Sequence, residues 1–335
     1  MTAQKSGRTT MPLKILSTGA AVPARCVTSS ELDRRFNKPD GYVQRRSGIE
    51  HRFHITDDVS QAQLAVMALT DALQRQQIAP ESIDLLISAA AIGTQALPYT
   101  AAHILKISGL PQHIASFDIN NSCIGFMTAL EMAACLLNQG VYRRIAIVAA
   151  DLASRGLNWD DEESALIFGD GAACAIVEKG DGSSGILSFL LETYPEGLNL
   201  CEIRAGGTRR NLRIGMEDSD FLFDMKGKQL FRLASTLIES FAERLLQQAG
   251  LSMPQVDCVL MHQASHLAIK HICKQLHIRP DQYVDIYRYR GNQVAASLPS
   301  VMHEAWTTGR VHVGKPLMLF GTAAGLTLGG MVLLP

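Results

Sequence analysis

Apolar residues along this chain form short continuous runs that alternate with longer stretches of helical spacing. Residues 83–91 and 144–150 are apolar almost throughout, which predicts strands buried on both faces of a sheet. Residues 61–77, 101–107 and 124–137 repeat apolar positions with a helical period and predict helices. The alternation predicts an α/β protein built from layered sheets.

Further elements are predicted near the two ends of the chain. Residues 13–18 predict a first strand, and Thr28-Ser-Ser-Glu-Leu predicts the capped start of a short helix. Residues 316–334 predict two strands joined by a turn of small residues. Phe168-Gly-Asp-Gly171, which is too short for a nucleotide-binding fingerprint, predicts a tight turn before another apolar strand.

The sequence predicts two related halves, residues 13–178 and 185–335, separated by a linker-like stretch rich in glycine and serine. The halves resemble one another when one is shifted by roughly 170 residues. Four matches in the same order indicate an internal duplication: 79–87 with 253–260, 103–107 with 271–275, 117–119 with 284–286, and the helix-ending Gly140 with Gly309.

Cys123 follows a short strand-like segment and precedes an apolar helix. A thiol at a helix start is favoured as the nucleophilic thiolate, because unpaired N–H groups and the helix dipole stabilise negative charge. Ser122 is predicted to cap the helix, and Gly125 to leave room for a ligand or a neighbouring chain. The alternative is a cysteine buried as a small apolar residue.

Two polar residues of the second half are candidates for the same site. Asn292 lies at the strand-to-helix corner equivalent to that of Cys123, and His262 ends an apolar strand. Ligand sites of such sheets gather at strand ends, although a histidine there is also a common structural residue. Gly325, in the C-terminal turn, is predicted to offer a backbone N–H to an oxyanion, or to form only a hairpin turn.

Composition narrows the class of protein. The 335 residues are 47% hydrophobic and 19% charged, with a net charge of −1, which argues against a nucleic-acid binder held by overall charge. The N-terminus is polar and no apolar run reaches about 18 residues, so neither export nor membrane insertion is predicted. Seven scattered cysteines without a CxxC pair predict free thiols in a reducing cytoplasm and no metal site.

Two basic segments are open to two interpretations. The arginine-rich residues 41–52 are either a solvated loop or an anion site for the phosphates of a cofactor or carrier. Lys226, Lys228 and Arg232 either meet an acidic carrier protein or form a solvated helix start.

Several motifs together resemble the β-ketoacyl-acyl-carrier-protein synthase III family of thiolase-fold condensing enzymes, over about residues 13–335. The resemblance implies a five-layer αβαβα fold of two duplicated halves, a homodimer, and no tightly bound cofactor. The motifs are Asn-Ser-Cys123-Ile-Gly-Phe, His262-Gln-Ala, Gly-Asn292-Gln-Val-Ala-Ala-Ser-Leu-Pro, Arg-Arg-Ser-Gly-Ile, Phe-Gly-Asp-Gly and Gly-Leu-Thr-Leu-Gly.

The resemblance also implies a ping-pong reaction. Cys123 would take an acyl group from acyl-CoA or acyl-carrier protein, and its oxyanion would rest on the N–H groups of Cys123 and Gly325. His262 and Asn292 would stabilise the enolate formed when a malonyl thioester loses CO₂. The products are β-ketoacyl thioesters of fatty-acid initiation or of a specialised lipid or secondary-metabolite pathway.

Substrate residues implied by the resemblance are Tyr42, Arg46, Leu97, Phe168 and Ser265, and several positions depart from the bacterial housekeeping enzymes. Tyr42 replaces a tryptophan that stacks on the CoA adenine, and the opposing arginine aligns near Glu162. Ser265 and Leu267 replace an asparagine and a basic residue. Leu97 aligns with a partner-subunit residue that closes the acyl pocket, so a longer or branched chain is implied.

Two other functions compete with this hypothesis. The same fold could transfer acyl groups without decarboxylation, although such a reaction has less need of Asn292 because it forms no enolate to stabilise. The chain could instead be a non-catalytic partner of another condensing subunit, but all three polar residues are present. A lipase-type GxSxG motif is missing, and His262-x-x-x-His266 lacks the glutamate of a zinc protease.

Overall fold

The computed structural model describes residues 11–335; the polar N-terminus, on which the prediction of no export rests, lies outside them. Fourteen strands occur in this range. They are β1 (Met11–Pro12), β2 (Lys14–Ala21), β3 (Arg25–Thr28), β4 (His51–His54), β5 (Leu85–Ser88), β6 (Ala115–Asp118), β7 (Arg144–Asp151), β8 (Gly171–Glu178), β9 (Gly185–Thr193), β10 (Cys201–Glu202), β11 (Asp224–Met225), β12 (Cys258–Met261), β13 (Leu317–Ala323) and β14 (Thr327–Leu334).

Ten α-helices connect these strands within the described residues. The predicted cap of the first is confirmed, since the side chain of Thr28 accepts the N–H of Glu31. The helices are α1 (Ser29–Arg35), α2 (Tyr42–Ser47), α3 (Gln61–Arg75), α4 (Thr100–Ile107), α5 (Gly125–Asn138), α6 (Glu162–Ala165), α7 (Gly227–Gln248), α8 (His266–Gln275), α9 (Tyr287–Arg290) and α10 (Ser297–Thr307).

Two five-stranded sheets organise the fold. The first has the order β2-β8-β7-β5-β6 and the second the order β1-β9-β14-β13-β12. The strand order β9-β14-β13-β12 of the second sheet has the same form as the order β2-β8-β7-β5 of the first. No helix among residues 11–335 is long and apolar enough to cross a membrane.

Apolar side chains divide the protein into five layers. One core cluster joins the facing sides of both sheets through α5 and α10, which therefore form the central layer. A second cluster packs α3 and α4 on the outer face of the first sheet, and a third packs α7 and α8 on the outer face of the second. Since α5 follows Cys123 and α10 follows Asn292, the central layer brings the two predicted corners to one side of the protein.

The structure corrects two local predictions. Residues 284–286, which match β6 in the repeat, form no strand, because the amide of Ile286 donates to the Gln263 side chain instead of a neighbouring strand. Only an isolated bridge between Val259 and Tyr283 marks that edge. The basic segment 41–52 is not a loop but contains α2 and the start of β4, a strand that pairs with β3.

Candidate active site

Cys123 lies on a sharp turn between β6 and α5. The helix begins at Gly125, with Ile124 as its N-cap and no side-chain cap, so the prediction that Ser122 caps it is wrong. Ser122 instead has φ +46°, a left-handed backbone that is uncommon for a residue with a side chain. Its N–H donates to Asn120 Oδ1 at 2.9 Å, which stabilises the turn, and its Oγ lies 3.8 Å from the Cys123 Sγ.

Gly125 serves the packing of the first sheet. A Cβ at this position would lie 2.9 Å from the carbonyl oxygen of Ala89 and 3.4 Å from that of Ile119. The backbone at the end of β5 therefore occupies the space that the sequence assigned to a ligand or another chain. Gly125 brings the start of α5 close to the sheet and so fixes the height of the thiol above it.

The thiol of Cys123 is held in its neutral form. Burial raises its pKa to about 11 and the charge of Asp151 adds to the rise, whereas hydrogen bonds from Ser122 and from the N–H groups of Ala324 and Cys123 lower it. Burial therefore opposes the thiolate that the helix start was predicted to favour, and it outweighs the hydrogen bonds to the sulfur. The proton of this thiol has to leave during acyl transfer.

Ala324 supplies a backbone N–H that the sequence prediction missed. It lies in the turn between β13 and β14, and its N–H acts on the Cys123 thiol. The predicted donor, Gly325, is the next residue and has φ +91°, a conformation that suits glycine. The predicted turn is therefore the one that contributes a donor, but the N–H beside the sulfur belongs to Ala324, one residue before Gly325.

His262 follows β12 and lies beside the cysteine turn. Its backbone N–H donates to the Phe320 carbonyl at 2.8 Å. A Cβ on Gly321 would lie 3.0 Å from both the His262 Cβ and the Ile124 Cγ2. Only the backbone of Gly321 therefore lies between His262 and Ile124. Burial lowers the His262 pKa to about 4, and its buried Nδ1 has no hydrogen-bond partner among residues 11–335. The imidazole is therefore neutral at physiological pH.

Asn292 presents an oriented amide. Its Oδ1 accepts the N–H of Val294 at 2.9 Å, and its Nδ2 donates to the Ala264 carbonyl at 3.3 Å. These two bonds assign the oxygen and nitrogen of the amide and leave one N–H of Nδ2 for a ligand. The preceding Gly291 has φ +66°, and its Cβ position lies 2.8 Å from the Ile167 carbonyl oxygen, so only glycine fits this corner.

Asp151 is a site residue that the sequence analysis did not single out. Its buried carboxylate ends β7 and accepts the N–H groups of Ala91, Ile92 and Ala295 at 3.0–3.3 Å. It thereby connects the loop after β5 with the turn after Asn292. Burial raises its pKa to about 7 despite these bonds. The available signal was an acidic residue at the end of a continuous apolar strand.

An apolar cluster surrounds the thiol. Cys123 and Ala91 both pack against the buried cluster that includes Phe168, and the Phe168 ring stacks on Phe223 with centroids 4.2 Å apart. Trp159 belongs to the same cluster. The Phe-Gly-Asp-Gly segment thus places an aromatic side chain in the site before β8 begins at Gly171.

Other predicted substrate residues do not belong to the apolar cluster beside the thiol. Tyr42 and Arg46 are on α2 and bind Glu162, while Ser265 caps α8 by accepting the N–H of Ala268 at 3.2 Å. Leu97 is 85% exposed on the loop between β5 and α4. The remaining members of the predicted set are exposed: Leu267 on α8, and Lys226, Lys228 and Arg232 around the start of α7.

Comparisons with known proteins agree with the motifs. Residues 117–195 match the family model of 3-oxoacyl-[acyl-carrier-protein] synthase III, and residues 246–334 match the model of its C-terminal part. The chain is 31% identical over 318 residues to β-ketoacyl-[acyl-carrier-protein] synthase III 3 of Streptomyces coelicolor, covering 94% of this chain and 95% of that one. It is 30% identical to the chloroplastic enzyme of Arabidopsis thaliana, covering 96% and 82%.

Solved structures show the same fold. The 3-oxoacyl-[acyl-carrier-protein] synthase III of Aquifex aeolicus superposes with a TM-score of 0.87 at 26% identity, covering 96% of this chain and all of that one. A variant of Xanthomonas campestris OleA with bound lauric acid and lauroyl-CoA gives a TM-score of 0.84 at 21% identity, covering 97% and 99%. The chain therefore has the thiolase-like fold and belongs to the β-ketoacyl-acyl-carrier-protein synthase III family of condensing acyltransferases.

Proposed function

We propose that this chain forms a β-ketoacyl thioester by decarboxylative Claisen condensation, with Cys123 as nucleophile and His262 and Asn292 as hydrogen-bond donors. The acyl donor is an acyl-CoA or acyl-carrier protein, the extender is a malonyl thioester, and neither half-reaction needs a tightly bound cofactor. The pathway is fatty-acid initiation or a specialised lipid or secondary-metabolite route.

In the first half-reaction, the sulfur of Cys123 attacks the carbonyl carbon of the acyl thioester. Because the thiol is neutral, its proton passes to the neutral imidazole of His262 as the C–S bond forms. The N–H groups of Cys123 and Ala324 stabilise the oxyanion of the tetrahedral intermediate. Collapse of the intermediate expels the donor thiolate, which takes up the proton.

In the second half-reaction, His262 and Asn292 donate hydrogen bonds to the thioester carbonyl of the malonyl group. Cleavage of the bond to the carboxylate releases CO₂ and leaves its electron pair as an enolate on this carbonyl. The enolate carbon then attacks the acyl group on Cys123, and the sulfur leaves as a thiolate that takes up a proton from solvent to restore the neutral thiol. Neutral donors suit this step because they stabilise the enolate without protonating its carbon.

The observation that carries this proposal is the oriented amide of Asn292, which is bonded to Ala264, two residues after the neutral imidazole of His262. With Oδ1 bound by Val294, the free N–H of Nδ2 is available for the carbonyl that becomes the enolate. A transferase without decarboxylation has less use for this pair of donors, and a non-catalytic partner has none.

We further propose a cytoplasmic homodimer. Among the described residues all seven cysteines are free thiols, which suits a reducing compartment. Leu97 and Tyr99 are exposed on one loop, and β6 is an edge strand of the first sheet, so a second copy would cover both features. In such a dimer, Leu97 would close the acyl pocket of the partner subunit.

Intact-protein mass spectrometry tests the first half-reaction. The native chain is incubated with a panel of acyl-CoA and acyl-carrier-protein donors, in parallel with Cys123→Ala. We expect an acyl adduct on the native chain alone, followed by its loss and release of CO₂ when a malonyl thioester is added. Adduct formation by no donor would overturn the proposal and favour a non-catalytic subunit.

A further inference from the structure

Three donors from the α1–α2 region bind one carboxylate, that of Glu162. The Tyr42 hydroxyl donates to its Oε2 at 2.8 Å, and the Arg46 Nε lies 3.4 Å from the same oxygen. The Lys38 Nζ lies 2.9 Å from its Oε1. Glu162 is the first residue of the four-residue helix α6, so the cluster joins two segments that are 120 residues apart.

This Glu162 cluster lies next to the apolar surroundings of the thiol. Trp159, three residues before Glu162, packs in the cluster that contains Cys123 and also in the cluster that contains Tyr42. The side chains of this cluster are partly exposed to solvent, by 33% for Lys38, 55% for Arg46 and 28% for Glu162. The cluster therefore lies at the surface end of the aromatic residues that reach the thiol.

The donor set of this cluster is the set that binds phosphate. A lysine, an arginine and a phenol converge on one position, which is the arrangement that recognises a phosphate oxygen through charge-assisted hydrogen bonds. In this protein the anion at that position is the Glu162 carboxylate of the same chain. A phosphate group arriving from solvent would have to displace a carboxylate that is already held by three donors.

We propose that Glu162 excludes the nucleotide of free coenzyme A from this position, so that the acyl donor is phosphopantetheine presented by an acidic carrier protein. The inference rests on the proposed function and names its donor. Coenzyme A carries a pyrophosphate and a further phosphate, whereas carrier-bound phosphopantetheine carries one phosphodiester. The exposed cations Lys226, Lys228 and Arg232 provide charge that is complementary to an acidic carrier.

The test compares three donors with the same acyl group: acyl-CoA, acyl-pantetheine and acyl-carrier protein. For the native chain we expect similar kcat/KM for acyl-CoA and acyl-pantetheine, because the nucleotide gains no contact, and a higher value for the carrier. Glu162→Gln frees Lys38 and Arg46 and should raise kcat/KM for acyl-CoA by about tenfold at low salt, with little change for acyl-pantetheine. The gain should largely disappear at about 0.5 M salt.

Asp160→Asn is the matched control. It removes the same charge from the same exposed loop without touching the three donors, and we expect less than a twofold change in the preference for acyl-CoA. An equal gain in both variants, no gain in Glu162→Gln, or a native chain that strongly prefers acyl-CoA over acyl-pantetheine would overturn this inference alone. Acylation by none of the three donors would overturn the proposed function, and this inference with it.

Discussion

The carboxylate of Asp151 lies close enough to the sulfur of Cys123 for its charge to raise the pKa of the thiol. The same carboxylate accepts N–H groups from the two turns that flank the site, those of Ala91 and Ala295. Asp151 therefore positions the walls of the site and also opposes ionisation of the nucleophile.

Replacing Asp151 with asparagine should make Cys123 easier to ionise. The thiol titrates above the pKa of Asp151, where the carboxylate is charged, so removing that charge lowers the pKa of the thiol. The value should stay above that of an ordinary cysteine, because burial is the larger cause. The pH dependence of iodoacetamide alkylation at Cys123 measures this shift. Asp170→Asn, another buried carboxylate, is the control, and equal profiles for the native chain and Asp151→Asn would contradict the prediction.

Asn292→Ala should separate the two half-reactions. Acylation of Cys123 needs no donor from Asn292, so the adduct should form at a rate within a few-fold of the native chain. Condensation should fall by about 10²–10³-fold, the usual cost of one donor at a developing oxyanion. Single-turnover acylation and malonyl-dependent CO₂ release measure the two steps. Unimpaired turnover of the variant would favour acyl transfer without decarboxylation.

His262 should make the protein less stable in mild acid. Its folded-state pKa of about 4 is below the ordinary value of 6.5, so the unfolded chain binds a proton first as the pH falls. The stability due to the neutral imidazole is complete above about pH 6.5 and is lost as the pH falls towards 4. Urea unfolding of the native chain and His262→Gln between these values should show a difference in unfolding free energy that shrinks with acid. Parallel curves would show that His262 does not titrate differently on folding.

Gly125→Ala should lower both stability and acylation. The added methyl group would lie 2.9 Å from the Ala89 carbonyl oxygen, which can move only with the end of β5. We expect a loss of about 1–3 kcal/mol in unfolding free energy and slower adduct formation, since the thiol moves with the helix start. Gly207→Ala is the control, because nothing lies within 4 Å of its Cβ position. Similar losses in both variants would exclude the close approach as the cause.

Leu97→Phe should shorten the acyl chain that the enzyme accepts. The side chain is 85% exposed within one copy, so its replacement should leave unfolding unchanged but fill the pocket of the partner subunit. Kinetics across a series of acyl lengths, together with the molecular mass in solution, test this. Val313→Phe, at a position that is 92% exposed, should alter neither property. A monomeric native chain, or an unchanged length profile in a dimer, would contradict the prediction.

Much of the fold follows from local patterns in the sequence. Continuous apolar runs identify β7 and the hairpin of β13 and β14. Strands buried on both faces are apolar at nearly every position, so they are easy to recognise in the sequence. The pattern fails at residues 284–286, where the side chain of Gln263 takes the amides that a strand would have used. Such a competition between a side chain and a neighbouring strand depends on tertiary contacts.

For the site, the sequence predicts the residue types but not their electrostatics. Cys123, His262 and Asn292 stand out because each ends or follows a recognisable element. The raised pKa of the thiol was missed, since desolvation depends on Phe168 and other residues brought together by the fold. Asp151, Ala324 and the bonds of Glu162 were missed for the same reason, because their roles come from backbone groups and partners distant along the chain.

The position of β14 has a consequence for folding. Although it is the last strand along the chain, it lies between β9 and β13 inside the second sheet, and the turn before it carries Ala324. The second sheet therefore closes only when Thr327–Leu334 has paired with a strand on each side. Because the turn before β14 places the Ala324 N–H beside Cys123, the oxyanion hole is completed in the same folding step as the second sheet.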